Sequence, residues 1–475
     1  MNTRNYIYNQ NTERISRGQL RRTVIALVLP IIAENMLISL VEYVDTAMVG
    51  SLGAGATASV ACTVPVIWFV HSLVMALSVG ATVTVAQSIG ARNASKAKQI
   101  CSQAFLAVTA LGLTIMAILL LLHRQIPVLM GVDPEIYTMA SSYMAILALG
   151  LPFQFASSVF FGIIRGAGDT RTPMRFTLFT NALNIAGNFL LIFPSRQISL
   201  FGLTLSIWGA GLGVVGAAVS SSIARAVSGL ILLYIMTRRP DVPLQLTGLR
   251  PDCNILAEIL RIGLPAALER LAINGGHLLY ARLVAGLGTV TLAAHQLCLT
   301  AENICFLPAI GFGTAATTLA GQAVGARQNQ EARRRVWMTA ELCIYCVLFT
   351  SVILFFGCQF LLGLLTPAEE VIAEGCKALR VVAFFEVFYG IATVFADGLR
   401  GVGSTKQPLF ICLGSMWLVR IPLALLFLHV FHGGIASVWL AMSIDLVVRA
   451  SLMTWRFHSK SWEHKLENRK EFHYD

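Results

Sequence analysis

The second half of this 475-residue chain repeats the first half at a single offset of 235 residues. The offset pairs Pro30 and Glu34 with Pro265 and Glu269, and it holds over most of each half. Chance or shared hydrophobicity explains such a match poorly, so it predicts two copies of one structural unit. The longest matches pair QSIGAR at 87–92 with QAVGAR at 322–327, and RGAGDTRTP at 165–173 with RGVGSTKQP at 400–408.

Long apolar runs recur along both copies. The chain is 56% hydrophobic and 12% charged, whereas a soluble protein of this length would carry roughly twice that charge. A helix that crosses a bilayer needs about 20 apolar residues. We therefore predict an all-α integral membrane protein with twelve transmembrane helices. The predicted spans are 23–48, 57–80, 100–122, 138–164, 176–194, 208–236, 262–284, 290–319, 336–365, 381–399, 408–431 and 434–455.

Polar segments divide the chain into five predicted parts. Six spans lie on each side of a linker rich in proline and arginine. Because six is an even number, the copies run in the same direction through the membrane, as parallel repeats do in many transporters. The parts are an N-terminal arm at 1–20, an N-lobe at 21–236, a linker at 237–254, a C-lobe at 255–455 and a tail at 456–475.

The basic residues indicate the orientation. Lysine and arginine concentrate in the arm, in the loops after even-numbered spans and in the tail, and such residues collect on the cytoplasmic side of membrane proteins. We therefore expect a multi-pass protein of the plasma or inner membrane with both termini in the cytoplasm. The same bias explains the net charge of +11 without a nucleic-acid partner.

Three acidic residues, Glu34, Glu42 and Asp45, interrupt the first apolar run. An ionisable group at the bilayer centre costs roughly 2.5–3.5 kcal/mol on insertion scales. At about 100° per residue, Glu34 and Asp45 point about 20° apart on a helix, so the acids share one broad face. We interpret this face as the lining of a hydrated cavity with Asp45 at its chemical centre. A buried polar patch that locks helices together is the alternative.

The two copies differ at polar positions. The equivalent of Asp45 is Tyr280, and apolar residues stand at the equivalents of Asn184 and Asn188. Together with Asn181, these asparagines form one stripe on their helix. Carboxamide oxygens beside a carboxylate suit a hard cation or a proton relay, and hydrogen bonding between helices is the alternative.

The sequence gives no pattern typical of an enzyme or of a bound cofactor. His71, His277 and His295 lie on separate spans, and Cys343 and Cys346 have no second pair or nearby histidine, so we interpret the cysteines as core residues. The repeat and the intramembrane acids favour a transporter instead, with a coupling ion as its only cofactor.

Several motifs together resemble the multidrug and toxic compound extrusion (MATE) transporters. The similarity runs from about residue 20 to 455, and it implies two six-helix lobes around a central V-shaped cavity. It also implies antiport: export of organic, often cationic, compounds in exchange for inward protons or sodium ions. The motifs are VDTAMVG, GATVTVAQSIGARN, FFGIIRGAGDTRTP, IGLPAALER and AAHQ with the downstream GQAVGAR.

The resemblance implies a coupling site in the N-lobe. In this family Asp45 would bind the coupling cation or proton with Asn184, Asn188 and Ser221. If sodium is the ion, Asp45, Asn184 and Asn188 would be its metal ligands.

The C-lobe departs from one branch of the family. That sodium-coupled branch carries a glutamate and an aspartate where this chain has Ile273 and Tyr389, which argues against the C-lobe site of that branch. We further predict that Glu34, Glu42 and Glu269 contact a cationic substrate. Pairing of Glu34 and Glu269 with Arg270 or another intramembrane arginine is the alternative.

A flippase for lipid-linked saccharides, from the same superfamily, is the alternative function. Such proteins need a basic cavity and commonly carry two extra helices, whereas the first cavity helix here is acidic. The predicted partners are therefore small organic cations and the lipid bilayer, and we expect the protein to work as a monomer.

Overall fold

The computed structural model of the chain is almost entirely helical. It describes residues 16–200, 203–245, 250–459 and 462–463, and of residues 198–200 and 203–207 it describes the backbone alone. Most of the predicted arm and tail lie outside the described residues.

The helices of the first half precede and follow a short β-hairpin. They are α1 (Arg17–Gly50), α2 (Ala54–Ala61), α3 (Val64–Gly90), α4 (Ala94–Leu122), α5 (Gln125–Leu129), α6 (Pro134–Gly166), α7 (Arg171–Leu191) and α8 (Gly213–Arg238), with β1 (Pro194–Leu200) and β2 (Leu203–Ala210) between α7 and α8.

The second half has several interrupted helices. They are α9 (Cys253–Ala285), α10 (Thr289–Ala301), α11 (Asn303–Gly325), α12 (Asn329–Gly363), α13 (Glu369–Ala383), α14 (Glu386–Gly401), α15 (Lys406–Gly414), α16 (Ile421–His429) and α17 (Ile435–His458), with a π-helical segment (Ser415–Arg420) between α15 and α16.

The helices match the predicted membrane spans. Within the described residues, nine helical stretches are long and apolar enough to cross a membrane, and α13 with α14, bent by 54°, makes a tenth. The two other predicted spans correspond to α7 and α9. Both are long, but α7 carries the asparagine stripe and α9 carries Glu269, Arg270 and Arg282. The helical membrane fold is therefore confirmed.

The predicted start of the sixth span is wrong. Residues 203–210 form β2, which pairs antiparallel with β1, and α8 begins only at Gly213. Gly211 has a φ angle of +66°, a left-handed conformation that glycine adopts readily and that does not continue a right-handed helix. Gly213, the first residue of α8, also has a positive φ angle of +57°. The apolar character of residues 203–212 did not reveal that a β-strand precedes the helix.

Two compact units make up the chain. Unit 1 contains the chain up to Ile32, Ala86–Arg92 and the chain from Leu264, and unit 2 contains Ala33–Val85 and Asn93–Gly263. Each unit is built mainly from one copy of the repeat. The predicted lobe and linker boundaries remain a prediction.

The repeated QxxGAR motifs meet inside unit 1. A Cβ atom on Gly90 would lie 2.0 Å from the carbonyl oxygen of Gln322, and one on Gly325 would lie 2.0 Å from the carbonyl oxygen of Gln87. The two contacts are reciprocal and are related by the offset of the repeat. Since no side chain fits at such a distance, the motif keeps glycine so that two helix backbones can touch.

We expect Gly325→Ala to destabilise the protein by about 1–3 kcal/mol, because overpacking a close contact forces the neighbouring backbone to move. Thermal unfolding of the purified protein in detergent measures the effect. The matched control is Gly275→Ala in α9, where an added Cβ meets nothing within 4 Å. Alanine favours a helix over glycine by about 0.8–1 kcal/mol, so the control should be neutral or stabilising. Equal melting temperatures for both variants would contradict this explanation of the motif.

Candidate functional site

Asp45 lies in the part of α1 that belongs to unit 2, and its side chain is half-buried. At about 100° per residue, Met36, Leu40 and Tyr43 lie on the face of this helix opposite the acids. Their exposed fractions are 49%, 57% and 50%, so that apolar face is open to lipid or neighbouring groups. Asp45 therefore stands on the side of α1 that packs against protein.

A chain of hydrogen bonds links Asp45 to α7 and α8. The side-chain nitrogen of Asn188 donates to Asp45 Oδ1 over 2.6 Å and to Asn184 Oδ1 over 3.4 Å. The side-chain nitrogen of Asn184 donates in turn to Ser221 Oγ over 3.0 Å. We call Asp45, Asn184, Asn188 and Ser221 the Asp45 cluster. The structure thus brings together all four residues predicted for the coupling site, while their role in coupling remains a prediction.

Close packing of α7 against α8 positions the cluster. Ser220 Oγ donates to the backbone carbonyl of Asn184 over 2.8 Å, and a Cβ on Gly187 would lie 2.4 Å from the same Oγ. The third asparagine of the stripe, Asn181, donates to the backbone carbonyl of Leu37 over 2.6 Å. This bond fastens α7 to α1 outside the Asp45 cluster.

Sequence reasoning gave no role to Arg225 or Tyr143, which both lie near Asp45. Arg225 of α8 is close enough to interact electrostatically with Asp45, His71 and Tyr143. Its Nη1 atom is buried and has no hydrogen-bond partner among the described residues. An arginine within an apolar span was the signal that could have identified it, because such residues usually have a partner or a function.

The oxygen atoms of the Asp45 cluster can receive a small cation. Asn188 is completely buried, and its Oδ1 has no hydrogen-bond partner among the described residues. It could accept a hydrogen bond from a protonated Asp45 or bind a sodium ion together with the carboxylate. Among the described residues, no three His, Cys, Asp or Glu side chains form a potential metal site. A bound metal ion would therefore depend on amide and hydroxyl oxygens.

The repeat-related acids Glu34 and Glu269 lie in buried ion pairs, each within its own unit. Arg165 Nη1 lies 3.4 Å from Glu34 Oε2, and Arg400 Nη2 lies 2.7 Å from Glu269 Oε1. Both arginines open the repeated RGxG segments, whose second glycines have φ angles of +93° and +84°, a left-handed conformation that glycine adopts readily. Both acids therefore lie in ion pairs, but their partners follow the predicted spans directly and are not Arg270 or another arginine within a span. Contact with substrate stays a prediction.

The third predicted substrate contact, Glu42, is exposed and lies near enough to Asp45 to interact with it. In unit 1, Asp445 pairs with Arg449 at 2.8 Å. Asp445 also pairs with Arg420 at 2.7 Å. The intramembrane acids therefore differ in surroundings. Asp45 lies beside Glu42 and accepts a hydrogen bond from Asn188, whereas Asp445 pairs with arginines.

The sequence model of the MatE family matches this chain twice, over residues 30–190 and 265–426. The two matched segments are offset as the internal repeat is. Together they cover more than half of the chain.

Relatives align over nearly the whole length. A probable multidrug resistance protein NorM from Thermotoga maritima is 31% identical over 94% of both chains. An uncharacterized transporter, YisQ, from Bacillus subtilis is 27% identical over 93% of this chain and 95% of its own.

Solved structures share the fold. An outward-facing multidrug resistance MATE family transporter of the MOP superfamily superposes with a TM-score of 0.84 at 22% identity, covering 96% of this chain and 99% of the other. A MOP superfamily transporter from Pyrococcus furiosus gives a TM-score of 0.84 at 23% identity, covering 96% of this chain and all of the other.

Proposed function

Because the chain belongs to the MatE family of multidrug efflux transporters, which are not enzymes, we propose that it exports small organic cations in exchange for an inward-moving proton or sodium ion. The proposal rests chiefly on one observation: Asp45 lies in a hydrogen-bonded cluster of carboxamides and a hydroxyl that occurs in the first copy of the repeat alone. We place the transporter in the plasma or inner membrane with cytoplasmic termini.

Neutralisation of Asp45 is the proposed coupling step. A charged carboxylate within a span needs polar surroundings, and a bound monovalent cation removes that requirement. The helices around the Asp45 cluster can then repack, and the affinity for the exported compound changes. Exchange requires that the cation and the compound favour different conformations, since equal binding to both conformations shifts nothing. Alternating access follows from that difference.

Arg225 and Asn188 set the starting state in this mechanism. Asn188 donates an N–H group to Asp45, and Arg225 places a positive charge near it. Either interaction stabilises the ionised carboxylate. A proton or sodium ion must compete with them, so it binds when supplied from the side of higher concentration. Release on the other side restores the contacts with Asn188 and Arg225.

Transport under separately imposed gradients tests the exchange and identifies the ion. Purified protein is reconstituted in vesicles loaded with ethidium, a fluorescent organic cation. A proton gradient or a sodium gradient alone should accelerate transport, and the effective gradient names the coupling ion. Transport that responds to neither gradient would reject antiport, and transport of a lipid-linked saccharide instead of ethidium would favour a flippase.

We expect Asn188→Ala to lower the ethidium efflux rate by about tenfold or more. The variant loses the hydrogen bond from Asn188 to the Asp45 carboxylate, and a hydrogen bond to a charged group is worth about 1.5–3 kcal/mol. Each 1.4 kcal/mol changes the binding equilibrium of the coupling ion at Asp45 by about a factor of ten. Initial rates are measured in vesicles and normalised to reconstituted protein.

Asn181→Ala is the matched control, because it removes the same carboxamide from the same helix at a site that bonds to the Leu37 carbonyl. Its efflux rate should stay near that of the wild type. If both variants lose the same activity, the asparagines hold helices together and do not bind the coupling ion.

A further inference from the structure

Two glutamates in unit 1, Glu302 and Glu386, are completely buried. Glu302 lies between α10 and α11, and Glu386 is the first residue of α14, directly after the break at which α13 and α14 bend by 54°. Both acids therefore stand at interruptions of membrane-spanning helices. Neither was singled out from the sequence, because each lies alone in its own apolar run.

The two carboxyl groups face each other. None of their four oxygen atoms accepts a hydrogen bond from a donor among the described residues, and the side chains lie within hydrogen-bonding reach of one another. Ionised carboxylates contain only acceptors, so this contact has no hydrogen to form a bond unless one group is protonated. Two adjacent carboxylates commonly share a proton, because two negative charges held next to each other repel.

Three arginines of unit 1, including the one that interacts with Glu302, already have acidic partners. Arg420, the cation nearest Glu302, binds Asp445 through Nε at 2.8 Å and Nη2 at 2.7 Å. Arg449 also binds Asp445, and Arg400 binds Glu269 and Asp397. Among the described residues, neither Glu302 nor Glu386 accepts a hydrogen bond from a cationic side chain. The titratable and charged groups that face the pair are Tyr280 of α9, Cys298 of α10, Cys305 of α11, Tyr389 of α14 and Arg420 of the π-helical segment.

These surroundings suit a proton better than a metal ion. Hard cations in proteins are held by several oxygen ligands, whereas a proton needs only two oxygens that face each other. The pair has thiol and phenol neighbours, and the described residues contain no third acidic, histidine or cysteine ligand arranged for a metal.

We propose that Glu302 and Glu386 form a proton-binding site in unit 1, made of residues different from those of the Asp45 cluster in unit 2. The equivalents of the two glutamates in the first copy are Ile67 and Leu151, so each copy of the repeat carries its own ionisable site. Loss of the proton sets two negative charges against each other at two helix breaks. The protonation state therefore biases how these two helices bend.

Infrared spectroscopy of the purified protein in detergent tests the site independently of transport. At neutral pH the wild type should show the carbonyl stretch of a protonated, buried carboxyl group, which shifts in D2O. In Glu302→Gln and in Glu386→Gln, the new carboxamide donates to the remaining carboxylate, so the band should disappear from both variants. Asp45→Asn, which alters the other site, should retain it.

The same infrared spectra would also reveal that the two glutamates do not share a proton. Wild-type-minus-variant spectra that lack the band for both glutamine variants would show two ionised carboxylates and overturn it. Should the glutamine variants fail to fold, Glu302→Asp and Glu386→Asp keep an acid at the site while moving it. A changed band frequency then supports the shared proton, and an unchanged frequency in both variants refutes it.

Discussion

Asp45→Asn should reduce gradient-driven ethidium efflux to the level of vesicles that lack the transporter. The substituted amide is permanently neutral, so neither a proton nor a sodium ion changes its charge. The charge of residue 45 is then the same whether or not the coupling ion is present, so an ion gradient cannot shift the conformational equilibrium of the carrier. The loss is expected to be the largest among the substitutions of the Asp45 cluster.

The measurement needs a control on the same helix. Tyr43→Phe removes only a hydroxyl group from the exposed face of α1, and it should transport at the wild-type rate. Size-exclusion chromatography and ethidium binding in detergent establish that Asp45→Asn is folded. Full gradient-driven efflux by Asp45→Asn would reject Asp45 as the coupling residue, and the family assignment would be unaffected.

Arg400→Met should destabilise the protein by about 3–5 kcal/mol, the usual cost of removing one partner from a buried ion pair. Arg400 binds both carboxylate oxygens of Glu269, at 2.7 and 2.8 Å, and also pairs with Asp397. The side chains of these three residues are at most 17% exposed. Methionine fills the space but leaves two buried acids without their cation, which is the physical reason for the large effect.

Two further arginines calibrate this result in the same thermal unfolding assay. Arg165→Met removes the repeat-related partner of Glu34, whose separation of 3.4 Å is longer, so a smaller loss is expected. Arg17→Met removes an ion pair with Glu341 whose side chains are 74% and 37% exposed, and such surface pairs contribute about 0–1 kcal/mol. A melting temperature of Arg400→Met equal to that of Arg17→Met would contradict a stabilising role for the Arg400 pair.

Much of the candidate site could be predicted because its signals are local or repeated. The cost of placing Asp45 in an apolar span marks it without any structural information. The spacing of Asn184 and Asn188 puts them one turn apart on a helix, and the missing counterparts in the second copy single them out. The hydrogen bond of 2.6 Å between Asn188 and Asp45 agrees with that expectation, although neither spacing nor repeat gives its distance.

The hairpin and the glutamate pair were not predictable in the same way. The β1–β2 hairpin interrupts an apolar segment at glycines whose left-handed conformations depend on the local chain path. Glu302 and Glu386 lie on different helices, and a single acid in an apolar run gives no information about which side chain it faces. Their proximity arises from how the broken helices of unit 1 pack.

The amino-acid sequence by itself determined the helical membrane fold, the two copies and the candidate coupling residues, because apolar length, periodicity and repetition act along the chain. Tertiary structure alone decided the partners of the buried charges. Glu34 and Glu269 pair with Arg165 and Arg400, and Glu302 faces Glu386 instead of a cation. A charge in low dielectric takes its properties from whatever lies within a few ångströms, and packing fixes those neighbours.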